Sequence, residues 1–234
     1  MGEKHTYLSF SGGKDSTVLS HIARMRYPNI LHVFCDTSCE YPETVAFVHA
    51  IKATGANVIT ISPFDRKGCP WTFERVVQEY GYPLFTKAVT NGIRTYRHAK
   101  SPETHQHSLD YMKRRFPKYL PYLDDNISDL CCEKLKKGPI KRYAKQNGLY
   151  CSIIGTLAVE SQTRLNDWLI YGSNIFNIKK DNQCRPLLFW TEADIYQYIK
   201  ICQLQISNVY AIGYQRNGCM FCGFGISAEK KNAE

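Results

Sequence analysis

No apolar run in this chain is long enough to cross a bilayer, and the N-terminal Met1-Gly2-Glu3-Lys4-His5 lacks the pattern of a secretory signal. The expected location is therefore cytoplasmic, with no membrane partner. No segment repeats and no tract is of low complexity, which excludes solenoids and repeat arrays. The G-x-x-x-x-G-K-[ST] spacing of a Walker loop is absent as well. Acidic residues are the scarcer sign, with 21 Asp and Glu against 30 Lys and Arg, and the net charge of +9 points to a polyanionic partner. The 234 residues, 44% hydrophobic and 22% charged, suit a soluble globular protein of one domain with appendages.

The most informative stretch present is Ser11-Gly12-Gly13-Lys14-Asp15-Ser16, which follows the apolar run Tyr7-Leu8-Ser9-Phe10. It reads as strand, tight glycine turn and helix start. Glycines let backbone approach an anion, and the first N–H groups of a helix have no partner of their own. Lys14 adds a mobile charge, and Ser11 and Ser16 add hydroxyls. The expected ligand of this cradle is phosphate or pyrophosphate.

Short apolar runs near 6–10, 30–35, 57–62 and 150–155 alternate with helical patterns at Ser16–Tyr27, Glu43–Thr54, Thr72–Tyr80, Gly138–Asn147 and Ala158–Leu169. That alternation predicts an α/β fold, a doubly wound, mostly parallel, Rossmann-like sheet with its ligand at the carboxyl ends of the strands. Asp36, just past the second run, would face the same crevice. A further helix is expected over Thr191–Gln203, with Thr191 as cap and Asp194 at capping-box spacing. Residues 87–126 carry no strand signal and read as a helical insertion. The expected organisation is a nucleotide-binding domain over 1–204 and a cysteine-bearing loop with a polar tail over 205–234.

Within that insertion, Arg94, Arg97, Lys100, Lys113, Arg114, Arg115 and Lys118 interleave with Tyr96, Tyr111, Phe116 and Tyr119. Such mixing can track a nucleic-acid backbone and stack on bases. A solvated helix face whose aromatics belong to the core is the alternative reading.

Cysteine is plentiful, with ten in the chain, and without an oxidising compartment this argues for metal or redox chemistry and not for disulfides. Cys35, Cys151, Cys184 and Cys202 lie among apolar neighbours and read as small buried hydrophobes. Cys131-Cys132 and the C-x-x-C Cys219-Met220-Phe221-Cys222 together offer four thiolates, a set for a 4Fe–4S cluster or a zinc ion. The directly adjacent pair favours the cluster, whose irons are separate, over a single tetrahedral ion. Unligated cysteines are the third option.

The glycine loop resembles the PP-loop, S-G-G-x-D-S, of the ATP pyrophosphatases. Asp36-Thr37 with Tyr41-Pro42-Glu43-Thr44 resembles the D-T-x-x-x-[YF]-P-E-T segment of the phosphoadenosine phosphosulfate (PAPS) reductase family, a branch of the same group. Further segments are similar to that family's iron–sulfur members. They are Cys131-Cys132 to Lys136-Lys137-Gly138-Pro139, Gly155 to Arg164, Arg185-Pro186-Leu187 with Trp190 to Ile195, and Gly213-Tyr214 before Cys219. The resemblance implies an adenine nucleotide ligand, with Ser11, Gly12, Gly13, Lys14, Asp15 and Ser16 around pyrophosphate and Gly155 beside them. It also implies Asp36 with Thr60 or Ser62 at the adenosine, and Arg164 with Lys136 or Lys137 at the α-phosphate or acceptor. Asp15 would help hold Mg²⁺, and relatives often form dimers or larger homo-oligomers.

Two departures bear on the reaction. No cysteine follows Cys222 as far as Glu234, whereas sulfonucleotide reductases of the family carry a further catalytic one. Leu157 also stands where the family's G-x-R has arginine. The intact loop suits ATP and leaving pyrophosphate. The expected function is therefore an ATP pyrophosphatase with ATP, Mg²⁺ and a 4Fe–4S cluster, adenylating an acceptor in sulfur transfer or nucleic-acid modification, with a sulfur-donor protein or nucleic acid as partner. Reduction of adenylyl sulfate or PAPS by a thiol such as Cys39 or Cys69, and a non-catalytic nucleotide-binding subunit of a nucleic-acid complex, are the alternatives.

Overall fold

The computed structural model describes residues 3–175 and 182–224. Among these residues six strands, β1 (Thr6–Ser9), β2 (Leu31–Cys35), β3 (Val58–Ile61), β4 (Cys151–Ile153), β5 (Asn174–Ile175) and β6 (Asn182–Cys184), form one sheet in the order β3-β2-β1-β4-β6-β5. Every pairing is parallel except β5 with β6, which is antiparallel at the edge. The helices are α1 (Lys14–Arg26), α2 (Pro42–Ala53), α3 (Phe73–Tyr80), α4 (Lys87–Arg97), α5 (Pro102–Arg115), α6 (Gly138–Gln146), α7 (Gln162–Tyr171) and α8 (Glu192–Ile201).

Successive residues of a strand point to opposite faces, and both faces of this sheet are covered. On one side Leu8, Phe34 and Val58 pack with Val18 and Leu19 of α1, Phe47 and Val48 of α2, and Ile195 of α8. On the other, Tyr7 and Val33 pack with Ala144 of α6 and Leu149, and Ile140 and Tyr143 add to that layer. A one-residue change of face along β1 and β2 therefore feeds two separate cores. That is the doubly wound architecture expected from the alternation of elements.

The chain order reverses at β1 and β4: β2 and β3 extend the sheet one way, β4 and β6 the other. Such a switch point opens a crevice at the strands' carboxyl ends. The glycine loop leaves β1 there, and residues 154–157 leave β4 beside it.

Two differences from the sequence pattern have local causes. β5 and β6 gave no apolar run, because Asn182-Gln183-Cys184 is polar and holds its place through parallel pairing with Cys151–Ile153. The helix expected over Ala158–Leu169 is broken at Ser161. A 3₁₀ turn, Ala158–Glu160, ends there, and the Ser161 side chain accepts from the Arg164 N–H to cap α7.

The chain divides into two compact units. The first comprises Met1–Asp36, Glu40–Ser62 and Ile140–Asn217, and the second Thr37–Cys39, Pro63–Pro139 and Gly218–Glu234. The boundary expected at 204 falls inside the first unit, because Tyr210 and Asn217 bond to the glycine loop. Residues 87–126 fold as α4, α5 and a 3₁₀ segment. In the second unit, Tyr96, Tyr111, Phe116 and Tyr119 pack against Val89, Ile93, Met112, Leu123 and Ile127. The interleaved aromatics thus serve a core, while Lys113, Arg114 and Arg115 stay exposed. Among the described residues no helix is long and apolar enough to cross a membrane.

Candidate functional site

In the first unit the glycine loop turns the chain from β1 into α1. Gly12 has φ +71°, a left-handed conformation that side chains rarely adopt, and a Cβ there would lie 2.9 Å from Thr44 Cγ2 and Val48 Cγ2. Ser16 Oγ and Thr17 Oγ1 both donate to Gly13 O at 2.9 Å, and Ser11 Oγ lies 3.1 Å from Ser16 Oγ. The hydroxyls thus tie the turn to the first turn of α1. A Cβ on Gly155 would come within 3.1 Å of Asp15 O, so the loop after β4 runs against the glycine loop.

Lys14 is buried, and its Nζ lies 3.0 Å from Glu192 Oε1 in the first turn of α8. A capping box places that turn: Thr191 accepts from the Asp194 N–H, and Asp194 accepts from the Thr191 N–H at 2.7 Å. The Lys14 ammonium also stands over the rings of Tyr196 and Tyr210, 5.6 and 5.5 Å from their centroids. Burial acts to lower the Lys14 pKa, but the Asp15 and Glu192 carboxylates outweigh it, so the pKa is raised. The Lys14 N–H, an orphan donor of α1, donates to Tyr210 Oη at 2.8 Å.

Asp15 behaves oppositely. Burial raises its carboxyl pKa against the charges of Lys14 and Arg164, and its Oδ1 is buried with no hydrogen-bond partner among the described residues. A carboxylate oxygen in that state beside an anion cradle is a place a cation would satisfy. Arg164 pairs with Glu160 Oε2, and Arg216 Nη2 lies 3.6 Å from Glu160 Oε1.

Asp36 follows β2, with its N–H donating to Ile61 O at 2.9 Å, and Thr60 and Ser62 are exposed at the end of β3. The loop residues, Gly155, Asp36, Thr60 and Ser62 thus lie along the carboxyl ends of the strands, and Arg164 is within electrostatic reach of Asp15. Tyr210, Arg216 and Asn217 flank the Gly213-Tyr214 segment and Glu192 lies inside the Trp190-to-Ile195 segment, but none of the four carries a site signal in the sequence.

The second unit holds the thiols. Cys131, Cys132, Cys219 and Cys222 line one cavity with Phe73, Pro83, Leu135 and Lys136. Lys136 is thus found with the thiols. Cys131 and Cys132 lie in a helical turn that passes into a π-helical segment, Glu133–Lys137. There Gly138 is required, since a Cβ would come 2.6 Å from Glu133 O. The C-x-x-C is anchored through the Met220 N–H, which donates to Cys39 O at 2.7 Å, and Thr37 Oγ1 lies 3.9 Å from Cys219 Sγ.

The cysteine pair is polarised. The hydrogen bond between them lowers the Cys132 pKa and raises that of Cys131, and Lys87, Lys136 and Lys137 further favour the Cys132 thiolate. Among the described residues no three His, Cys, Asp or Glu side chains are placed to hold one metal ion. Four thiols in one lining are the donor chemistry that an iron–sulfur cluster would take, with Lys136 beside them to offset thiolate charge. Cys39 is buried and Cys69 exposed.

A family profile described as phosphoadenosine phosphosulfate reductase domain matches residues 5–76 and 77–223, and the chain belongs to that family. It is 25% identical over 222 residues to an uncharacterized protein of Methanocaldococcus jannaschii, a match covering 94% of this chain and 42% of that protein. It is 24% identical over 222 residues to the adenosine 5'-phosphosulfate reductase of Rhodococcus erythropolis, covering 94% of this chain and 69% of that enzyme. Over 94 residues it is 32% identical to the enzyme of the same name from Shouchella clausii, covering 40% of this chain and 37% of that one. The chain thus spans less than half the length of the archaeal relative and about two thirds of the Rhodococcus enzyme. The fold is similar to that of phosphoadenylyl-sulfate (PAPS) reductase from Candida auris, solved as a phosphate complex. The TM-score is 0.55 at 16% identity, covering 92% of this chain and 81% of that one.

Proposed function

We propose that this chain binds ATP with Mg²⁺ in the crevice of its first unit and adenylates an acceptor. The acceptor oxygen attacks the α-phosphorus, the P–O bond to the bridging oxygen breaks, pyrophosphate leaves, and the acceptor's proton passes to solvent. Ser11, Gly12, Gly13 and Ser16 would cradle the departing pyrophosphate through hydroxyls and backbone N–H groups. Lys14 would leave Glu192 to neutralise it. Asp36, with Thr60 or Ser62, would line the adenosine, and Arg164 would meet the α-phosphate.

The observation that carries this reading is the buried, unpartnered Asp15 Oδ1 beside the cradle. Asp15 would hold a divalent cation there, which would supply charge neutralisation to the leaving pyrophosphate. Cys131, Cys132, Cys219 and Cys222 would hold a 4Fe–4S cluster, which when bound supplies electrons or a face for sulfide. Lys136 would there offset thiolate charge.

The test is a Mg²⁺ titration of ATP binding. Mg²⁺ is expected to raise affinity in the wild type and to have little effect in Asp15→Asn. A Mg²⁺ effect of equal size in the variant would remove the reading's support.

The names of the curated relatives favour a second reading, reduction of a sulfonucleotide. It requires a thiolate to attack the sulfonyl sulfur and displace the nucleotide. Thiol-dependent release of sulfite from adenylyl sulfate would decide for it.

A further inference from the structure

Leu157 stands where the family segment G-x-R carries arginine, and its side chain is 2% exposed, packed in the core with Leu8, Phe10 and Leu187. The loop after β4 therefore offers the crevice no guanidinium at that position. The first unit nonetheless holds two guanidinium groups around one carboxylate, and one of them comes from a different part of the chain.

We propose that Arg216 replaces the arginine absent at 157, forming with Arg164 a pair of guanidinium groups that receives the phosphate oxygens of the bound anion. The proposal rests on the reading of the glycine loop as a nucleotide site and deepens it by assigning a second anion-binding arginine.

The residue next to Arg216 is clamped to the glycine loop. Asn217 Nδ2 donates to Ser11 O at 2.8 Å, and Asn217 Oδ1 accepts from Thr44 Oγ1 at 2.9 Å. The Asn217 Cβ lies 3.3 Å from where a Cβ on Gly13 would be, so the absence of a side chain at 13 lets the clamp close. Two hydrogen bonds thus hold the Asn217 side chain against the glycine loop, and Arg216 is its chain neighbour.

Its charge has a defined partner. One oxygen of Glu160 faces Arg164 and the other faces Arg216 at 3.6 Å, so the carboxylate bridges the two as a bidentate anion would. Burial first, and then the nearby Arg216 charge, disfavour the ionised Arg164, while Asp15 favours it. Arg164 therefore lies within reach of both Arg216 and the cradle's own carboxylate. A phosphate that displaced Glu160 would meet both guanidinium groups at once, one oxygen to each. Arg216 suits this task by geometry, since a guanidinium presents a planar fork of donors that an ammonium lacks. Its side chain is 59% exposed, so replacing it removes no core contact.

The experiment is titration calorimetry of inorganic pyrophosphate with Mg²⁺, and of ATP with Mg²⁺, into the full chain. Wild type, Arg216→Ala, Arg216→Lys and Lys14→Ala are compared, with thermal melts to check folding. Arg216→Ala is expected to weaken both ligands about tenfold or more, and Arg216→Lys to restore only part of the loss. Should the alanine variant fail to fold, the partial loss in Arg216→Lys carries the test, since it keeps the charge and removes the fork. Wild-type affinity in Arg216→Ala, with binding weakened in Lys14→Ala, would overturn the proposal and leave the glycine-loop reading standing. Wild-type affinity in Lys14→Ala as well would remove the loop from anion binding, and both would fall together.

Discussion

Asp15 keeps one carboxylate oxygen buried with no partner among the described residues, and burial raises its pKa above the ordinary 3.8. A folded-state pKa above the unfolded one gives stability that is fully present below the unfolded pKa and is lost as pH rises through the folded value. The ionised carboxylate therefore weakens the free fold at neutral pH. Asp15→Asn is expected to raise the melting temperature near pH 7 while abolishing the Mg²⁺ effect on ATP binding; a lower melting temperature would contradict this account. His32 acts in the other direction. It is fully buried, with Nδ1 facing the carbonyls of Ile30 and Asn57 and so carrying the proton, and Nε2 accepting from Ser20 Oγ at 2.8 Å. Burial lowers its pKa, so its contribution is present above 6.5 and lost as pH falls through the folded value. The denaturant midpoint is expected to drop on acidification from pH 7 to about pH 5, with that drop reduced in a His32→Gln variant that folds. The role of Glu192 was not legible in the sequence, since an exposed first-turn glutamate has many ordinary uses; only the fold brings it to Lys14.

At the scale of elements, the strand–helix alternation was readable wherever burial wrote itself into the residues. Leu8, Val33, Phe34 and Val58 form runs because both sheet faces are covered. β6 was not readable, because Asn182 and Gln183 hold their place by ladder hydrogen bonds and not by apolar side chains. The π-helical segment after Cys132 was equally hidden: Cys-Cys-Glu-Lys-Leu-Lys-Lys-Gly-Pro has ordinary helical composition, and the extra residue per turn shows only in the backbone. Gly138 is the residue that permits it. Gly138→Ala sets a Cβ against Glu133 O and is expected to destabilise the protein by about 1–3 kcal/mol, read as a shift in urea midpoint. An unchanged midpoint would mean that the π-turn relaxes to α-helix freely. The cap of α8 was legible in Thr191-Glu192-Ala193-Asp194. Its removal in Thr191→Ala is expected to cost about 1 kcal/mol and to loosen Lys14 by moving Glu192.

Over the whole molecule, family and fold were legible because several motifs, spaced from β1 to the C-x-x-C, each answer to a backbone or ligand requirement and recur in order. The grouping of the chain into units was not, because Thr37–Cys39 joins the second unit through bonds to Cys219 and Met220 that no local pattern announces. The two constellations stand in different units, the glycine loop in the first and the four thiols in the second. Anaerobically purified protein is expected to carry iron and sulfide at about four each per chain, with Cys131→Ser and Cys222→Ser both losing them. Zinc in their place, or neither metal nor sulfide, would contradict the assignment. The central claim, that the glycine loop is built for ATP with Mg²⁺, is tested most directly by calorimetry of ATP with Mg²⁺ beside adenylyl sulfate and its 3′-phosphate on that anaerobic protein. Clear preference for ATP, lost in Lys14→Ala, is expected; tighter binding of either sulfonucleotide would overturn that claim.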